Sequence, residues 1–332
     1  MSSMAEATRL VRQGRLLEAT ARLQEGLGGR TPTMPTAPRT PGPRARTSGR
    51  APGTVTRGAA RAAGGTLAYR LYVPTTLRPA APLLVLLHGG TQDADAFAAA
   101  TGSDEAAERA GVVVVAPEQS RSANAMGYWN WFRPGDQGRD AGEPALIAAA
   151  TRDVAERYGT DRARTAVAGF SAGGAMAAVM AATHPDLFCG AGVHSGLPFR
   201  AAHDVGSAFA VMSTPPARVA DGGPVPLIAV HGDDDRTVAV GNGEAVVRSA
   251  LAGSGRVEHA RTTGRAPGGR AWTRERWAEP GGRALAESWT VHGMGHAWSG
   301  GRAGGSYTDP GGPDALAVML AFVGFTDDGP VG

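Results

Sequence analysis

The chain has 332 residues and a formal net charge of +3, a length that predicts either one large α/β domain or two modest ones. All 33 basic residues are arginine. Eleven arginines and three glutamates give residues 1–61 a charge of about +8, against about −5 for the remainder. No aromatic residues interleave with those arginines, so a solvated linker is favoured over a nucleic-acid-binding surface. The single cysteine, Cys189, excludes an internal disulfide framework.

The first 63 residues are predicted to lie outside the catalytic domain. Residues 1–29 are typical of an accessory helix or helical hairpin, able to dock on the main domain or on a partner. Apolar residues at spacings of three and four mark one face of it: Leu16, Ala19, Leu23 and Leu27. Residues 30–63, rich in Pro, Arg and Gly, predict a disordered linker. No apolar run in residues 1–29 is long enough for a signal peptide or a membrane span, which predicts a cytoplasmic protein.

Residues 64–326 alternate between short apolar segments and longer helical ones. The apolar segments predict strands at Thr66–Val73, Leu83–Leu87, Val112–Ala116, Ala163–Ala168, Ala191–Val193, Leu227–Val230 and Ser288–Val291. The other segments predict helices at Asp95–Ala110, Glu143–Tyr158, Ala172–His184 and Pro313–Phe325. This alternation predicts an α/β fold, with a mostly parallel sheet, helices on both faces and its chemistry at the carboxyl ends of the strands.

A glycine-rich turn stands between a predicted strand and a predicted helix, in the sequence Gly169-Phe170-Ser171-Ala172-Gly173. That context favours a nucleophile elbow of the G-x-S-x-G type over a plain loop. A side chain at Gly169 or Gly173 would collide with the neighbouring strand or helix. The hydroxyl of Ser171 is therefore predicted to stand above the sheet, where the N–H of Ala172 can stabilise an oxyanion.

A serine hydroxyl needs a base to take its proton and a carboxylate to orient that base, here in the chain order Ser, Asp, His. Three aspartates follow the strand at 227–230, and we select Asp235 because it lies farthest round the turn; the alternative is a solvated or capping acidic turn. Of the eight histidines, His296 alone lies in a late, glycine-flanked loop after the acid. It is the predicted base.

The turn after Leu83–Leu87 is predicted to supply the second oxyanion donor, from Gly90 or, next, from Thr91. The aromatic cluster 128–132 either packs beneath its own loop or lines a pocket. The histidine spacing, the lack of a cysteine pair and the lack of a phosphate-binding lysine or a G-x-G-x-x-G turn predict neither a metal site nor a cofactor.

Five motifs follow predicted strands: His88-Gly-Gly-Thr-Gln92, Trp129-Asn-Trp-Phe-Arg-Pro134, Gly169-Phe-Ser-Ala-Gly-Gly174, His194-Ser-Gly-Leu-Pro198 and Gly295-His-Ala-Trp-Ser-Gly-Gly301. Together they resemble the polyhydroxybutyrate (PHB) depolymerase family of esterases, which is related to feruloyl and acetylxylan esterases in the α/β-hydrolase superfamily. The resemblance covers residues 67–325. It implies an α/β-hydrolase fold with Ser171 as nucleophile, Asp235 as acid and His296 as base.

Side chains near the same strand ends are predicted to bind substrate: Thr91, Gln92, Trp129, Trp131 and Trp298. The chain departs from the pattern of this family at two positions, since many relatives have cysteines where Gly90 and Tyr128 stand here. Such a pair would be able to form a bridge beside the oxyanion turn. Without it, the loop that bears Trp129 is expected to be held by packing alone.

The predicted function is a serine esterase that hydrolyses hydroxyalkanoate, feruloyl or acetyl esters through an acyl-enzyme. Its partner is a small-molecule or oligomeric ester. An acyltransferase with the same catalytic residues is an alternative, as is a non-catalytic binding protein of the same fold. The intact set of serine, acid and base argues against the binding protein, which needs none of the three. The sequence carries no signal of an oligomeric state.

Overall fold

The structure is a computed structural model that describes residues 51–326. The predicted N-terminal helix (1–29) and the linker up to residue 50 lie outside the described residues. The described strands are β1 (Thr54–Ala62), β2 (Gly65–Val73), β3 (Leu83–Leu87), β4 (Val113–Pro117), β5 (Thr165–Phe170), β6 (Gly190–His194), β7 (Leu227–Gly232), β8 (Glu258–Arg265), β9 (Ala271–Ala278), β10 (Ala284–Val291), β11 (Trp298–Ser299) and β12 (Thr308–Asp309). The described helices are α1 (Ala94–Thr101), α2 (Ser103–Ala110), α3 (Gly142–Tyr158), α4 (Ala172–Thr183), α5 (Val205–Ser213), α6 (Gly241–Ala250) and α7 (Ala315–Phe322).

Ten strands form one sheet in the order β1-β2-β4-β3-β5-β6-β7-β10-β9-β8, and β11 pairs with β12 separately. The six central strands, β4 to β10 in that order, run parallel, whereas β1 and β2 at one edge and β9 and β8 at the other run antiparallel. The central strands β3 and β4 are buried at every residue, as their continuous apolar sequences predict. The sheet confirms the predicted α/β-hydrolase fold.

The prediction that the linker extends to residue 63 is wrong. Strand β1 pairs with β2 along its whole length, from Thr54 opposite Val73 to Ala62 opposite Gly65. Only Ala60 of its nine residues is buried. Hydrogen bonds between the two backbones therefore hold most of β1, and a composition whose only large apolar side chain is Val55 does not reveal them.

Two other segments depart from the predictions. The helix predicted at 95–110 is two helices, because Gly102 ends α1 in the left-handed region with φ 69°. The hairpin β8–β9 extends the sheet beyond β10 and was not predicted. Strand β8 is exposed at seven of its eight residues, so it lacks the apolar alternation by which a half-buried strand is recognised.

Deletion of residues 1–63 is expected to destabilise the catalytic domain, because it removes β1 and uncovers the edge of β2. We expect insoluble protein or a thermal midpoint lower by about 10 °C, as a loss of several kcal/mol would give. Deletion of residues 1–50 is the matched control and is expected to keep both midpoint and esterase activity. Equal midpoints for the two deletions would show that β1 contributes nothing to the sheet.

Candidate active site

Ser171 occupies a sharp turn between β5 and α4. Its φ of 54° and ψ of −116° are unfavourable for a residue with a side chain and store strain at this position. A Cβ at Gly169 would overlap the backbone of Gly173, and a Cβ at Gly173 would overlap the carbonyl oxygen of Leu87 at the end of β3. Both glycines are therefore needed for helix α4 to start this close to the sheet.

Three side chains from different strand ends form one hydrogen-bonded row. Nε2 of His296 lies 3.0 Å from Oγ of Ser171. On the other side of the ring, Nδ1 lies 2.7 Å from Oδ2 of Asp235. Ser171 follows β5, Asp235 follows β7, and His296 follows β10. Because β5, β7 and β10 run parallel, their carboxyl ends bring these loops to the same edge of the sheet.

The carboxylate of Asp235 is fully buried, with 0% of its side chain exposed. Its Oδ1 accepts hydrogen bonds from the N–H groups of Thr237 (2.9 Å) and Val238 (2.8 Å). Burial raises the pKa of this carboxyl, but hydrogen bonds from His231 and His296 outweigh it and hold the pKa below its ordinary value. Asp235 is therefore ionised and suited to orient an imidazole.

The other two aspartates of the turn have different partners. Asp233 accepts from Nδ1 of His292 at 2.7 Å and from the N–H of Gly293 at 2.6 Å. Asp234 lies 3.2 Å from the guanidinium of Arg236. Asp233 and Asp234 are 36% and 56% exposed in their side chains. Of the three candidates weighed from the sequence, the structure brings Asp235 to His296.

The loop after His296 is held by a buried histidine at the end of β6. His194 accepts a hydrogen bond at Nε2 from the N–H of Ser299 (2.9 Å), and its Nδ1 lies 3.1 Å from Oγ of Ser195. Its ring stacks on Trp298 at 4.8 Å. Burial lowers the pKa of His194 well below its ordinary value, so the ring stays neutral and Nε2 remains an acceptor.

The turn after β3 carries the two candidates for the second oxyanion donor. The N–H of Thr91 donates to the carbonyl of Met126 at 3.2 Å, which occupies it. Gly90 packs against Tyr128, since a Cβ on this glycine would overlap the tyrosine ring. The positions at which the family resemblance implies a cysteine pair are thus adjacent in space, and an aromatic ring fills the space there. Of the two candidates, Gly90 is the better placed.

Gln92 links the turn after β3 to the backbone at Ser306. Its Oε1 accepts from the N–H of Gly89 at 3.0 Å, and its Nε2 donates to the carbonyl of Ser306 at 3.1 Å. The residue is only 7% exposed. Both ends of its amide thus have a partner within the protein, and substrate contact by Gln92 stays a prediction.

The tryptophans predicted to bind substrate are buried. Trp129 and Trp298 are 0% and 1% exposed, and Trp131 is 5% exposed. Trp129 donates from Nε1 to the carbonyl of His88 at 3.1 Å, and Trp131 packs edge-on against Phe132. The packing alternative describes Trp129 and Trp131, and direct substrate contact by the three tryptophans stays a prediction. The sequence indicates that such rings are buried, but it does not indicate which segments of the chain bury them.

A buried carboxylate ties the aromatic loop to the first turn of α3. Glu143 accepts hydrogen bonds from the side chain of Gln119 and from both the backbone N–H (2.7 Å) and the side chain of Asn130. Gln119 also donates to the carbonyl of Tyr128 at 2.8 Å. Burial raises the pKa of Glu143 to about 7, although these hydrogen bonds oppose the shift. The expectation that packing alone holds this loop is therefore wrong, because these hydrogen bonds hold it as well.

Tyr307, which no sequence motif singles out, lies beside His296. Its ring centre is 6.3 Å from those of His296 and Phe170. It is 43% exposed, and its φ of 53° lies in the left-handed region. The available signal was a lone aromatic residue in the glycine-rich segment 300–312, after the base.

Among residues 51–326, no cluster of three or more His, Cys, Asp or Glu side chains has the arrangement of a metal site. No helix within the same range combines the length and the apolar character that crossing a membrane requires.

A family model described as esterase PHB depolymerase matches residues 67–270. The chain belongs to this esterase family. Putative esterase NocK of Nocardia uniformis subsp. tsuyamanensis is 32% identical over 268 residues, which cover 72% of each chain. Poly(3-hydroxyalkanoate) depolymerase C of Paucimonas lemoignei is 34% identical over 261 residues, covering 74% of this chain and 60% of the depolymerase. The match therefore spans less than two thirds of that depolymerase.

The structure of the acetyl xylan esterase from Aspergillus awamori is similar in fold. The two structures agree with a TM-score of 0.63 over 78% of this chain and 94% of the xylan esterase, at 18% sequence identity. The TM-score shows that the fold is shared, and identity at this level carries no argument on substrate.

Proposed function

We propose that this PHB depolymerase-family protein is a serine esterase in which Ser171, His296 and Asp235 form the catalytic triad. The observation that carries the proposal is the pair of contacts on His296, 3.0 Å to Oγ of Ser171 and 2.7 Å to Oδ2 of Asp235. Both lie within the reach that proton transfer and ring orientation require. The family assignment supports the same chemistry independently.

In the acylation step, Oγ of Ser171 attacks the ester carbonyl carbon while its proton passes to Nε2 of His296. The carboxylate of Asp235 keeps the proton of the ring on Nδ1 and stabilises the imidazolium that forms. The tetrahedral intermediate then collapses: the bond from carbon to the alcohol oxygen breaks, and the proton on Nε2 leaves with the alcohol. An acyl-enzyme on Ser171 remains.

In the deacylation step, a water molecule takes the place of the alcohol. His296 accepts its proton at Nε2 while the water oxygen attacks the acyl carbon, and the proton then returns to Oγ of Ser171 as the acid is released. The products are one carboxylic acid and one alcohol. No other reactant is consumed, so the reaction needs no cofactor.

The oxyanion of both intermediates is proposed to bind the N–H groups of Ala172 and Gly90. Ala172 is the first residue of α4, and the first N–H groups of a helix have no partner within it. Gly90 lies in the turn after β3, and its N–H donates to no other group among residues 51–326. Two donors of this kind are typical of acyl-transfer sites and contribute several kcal/mol to the transition state.

The proposed substrates are hydroxyalkanoate, feruloyl or acetyl esters, the classes named by the relatives. Hydrolysis is to be measured on 4-nitrophenyl esters of graded chain length, methyl ferulate and a 3-hydroxybutyrate oligomer. We expect turnover of at least one class by the full chain, with rapid release of the first alcohol equivalent where deacylation is slow. A correctly folded protein, judged by circular dichroism, that turns over none of these esters would contradict the proposal.

A further inference from the structure

We infer that Tyr307 is a specificity-determining residue that contacts the alcohol portion of the ester. This inference rests on the proposed esterase function. It adds which part of the ester is recognised and which residue contacts that part. It is carried by the position of the Tyr307 ring relative to His296, by its exposure and by the way its backbone is held.

The position of the ring identifies which half of the ester it meets. The alcohol oxygen must come within hydrogen-bond reach of Nε2 of His296, because that nitrogen supplies the proton with which the alcohol leaves. The ring of Tyr307 stands 6.3 Å from the imidazole, centre to centre, and nearly perpendicular to it at 76°. A group attached to the alcohol oxygen therefore passes beside this ring.

Exposure distinguishes Tyr307 from the other aromatic residues near His296. Phe170 and Trp298 are 2% and 1% exposed, so their rings are occupied by protein. Tyr307 is 43% exposed, and the only other exposed large hydrophobic side chain among residues 51–326 is Leu77, in the loop before β3 at the opposite end of the parallel strands. An exposed phenol ring beside a reactive centre presents an apolar surface that the protein does not fully cover, and a substrate can pack against it.

The backbone of Tyr307 is fixed in a conformation that glycine would adopt more easily. Its φ is 53°. Its carbonyl accepts from the N–H of Trp298 at 2.7 Å, and the carbonyl of the preceding residue, Ser306, accepts from Gln92 at 3.1 Å. The turn is thus tied both to the loop of the base and to the oxyanion turn. A strained tyrosine held in place from two sides indicates that its side chain is required there.

Two isomeric esters test which side of the substrate meets the ring. Benzyl acetate carries its phenyl group on the alcohol, and methyl phenylacetate carries it on the acid. Tyr307→Ala is expected to lower kcat/KM for benzyl acetate about tenfold, as the loss of one aromatic contact predicts. For methyl phenylacetate we expect less than a twofold change. Tyr307→Phe keeps the ring and is expected to stay within about twofold on both esters.

Two controls separate substrate contact from a structural effect. Leu77→Ala removes the other exposed large side chain and is expected to leave the ratio of the two kcat/KM values unchanged. Tyr307→Gly relieves the backbone strain, so its thermal midpoint is expected to equal or exceed that of the wild type, while its kcat/KM for benzyl acetate falls as in Tyr307→Ala.

An equal loss on both isomers, or a loss confined to methyl phenylacetate, would overturn the assignment of Tyr307 to the alcohol side. Wild-type protein that hydrolyses neither isomer nor any ester of the wider panel would instead overturn the proposed esterase function, and the assignment with it. Hydrolysis by the wild type with an unchanged ratio in Tyr307→Ala would overturn the assignment alone.

Discussion

Ser171→Ala is expected to lower kcat for ester hydrolysis by about 10⁴-fold or more while leaving the protein folded. The loss is large because no acyl-enzyme can form without the hydroxyl, and the oxyanion donors and the binding of substrate account for the remaining activity. Stability is expected to change little. Alanine carries the same Cβ as serine, so the strained backbone at this position, with φ 54°, is unaltered.

The measurement is kcat on the best ester of the panel, with the thermal midpoint recorded for each variant. Ser207→Ala is a suitable control, since Ser207 completes the capping box of α5 at a partly exposed site, where its Oγ accepts from the N–H of Asp204 at 3.0 Å. It is expected to cost about 1 kcal/mol of stability and no activity. If Ser171→Ala keeps more than about a tenth of the wild-type activity, Ser171 is not the nucleophile.

Asp235→Asn is expected to reduce kcat by about 10⁴-fold, as in triads where the same substitution was made. An asparagine presents an N–H where the ring of His296 must find an acceptor, and this favours the wrong tautomer. The carboxylate is buried and its pKa is held below its ordinary value. It therefore stays ionised at neutral pH, and the loss is expected to persist across the range in which the wild type is active.

Asp233→Asn is the matched control from the same turn. Asp233 also accepts a hydrogen bond from a histidine, but from His292, and at an exposed position. We expect less than a tenfold effect on kcat, because neither residue reaches Ser171. The assignment of the acid fails if Asp233→Asn causes the larger loss of the two, or if Asp235→Asn retains near-normal turnover.

The central sheet was predictable because its strands are buried on both faces. Strands such as β3 and β4 are continuous apolar runs, and their ends are marked by glycine and by polar residues. The edges were not predictable in the same way. Strand β1 has one buried residue and β8 has none, so backbone hydrogen bonds, which leave no trace in composition, define them.

The row of three side chains was foreseeable because the order of the motifs and the parallel strands limit which loops can meet. Asp235 could be chosen over Asp233 and Asp234 from its place in the turn. The surroundings of that row were harder to predict. Trp129 and Trp298 were expected at the substrate and are buried in the protein, whereas no motif predicts a role for Tyr307. Burial depends on packing between segments far apart in the chain, which motifs do not encode.

The hydrogen bonds to Glu143 make the stability of the aromatic loop depend on pH and not on reductants. Its pKa of about 7 exceeds the ordinary 4.5 of an unfolded chain, so proton uptake favours the folded form. As the pH rises from about 4.5 to about 7, ionisation of this buried group removes up to about 3 kcal/mol of stability. Because the chain has a single cysteine, this loop contains no internal disulfide that a reductant could break. Raising the pH to neutrality, and not adding a reductant, is therefore what destabilises the wall beside the oxyanion turn.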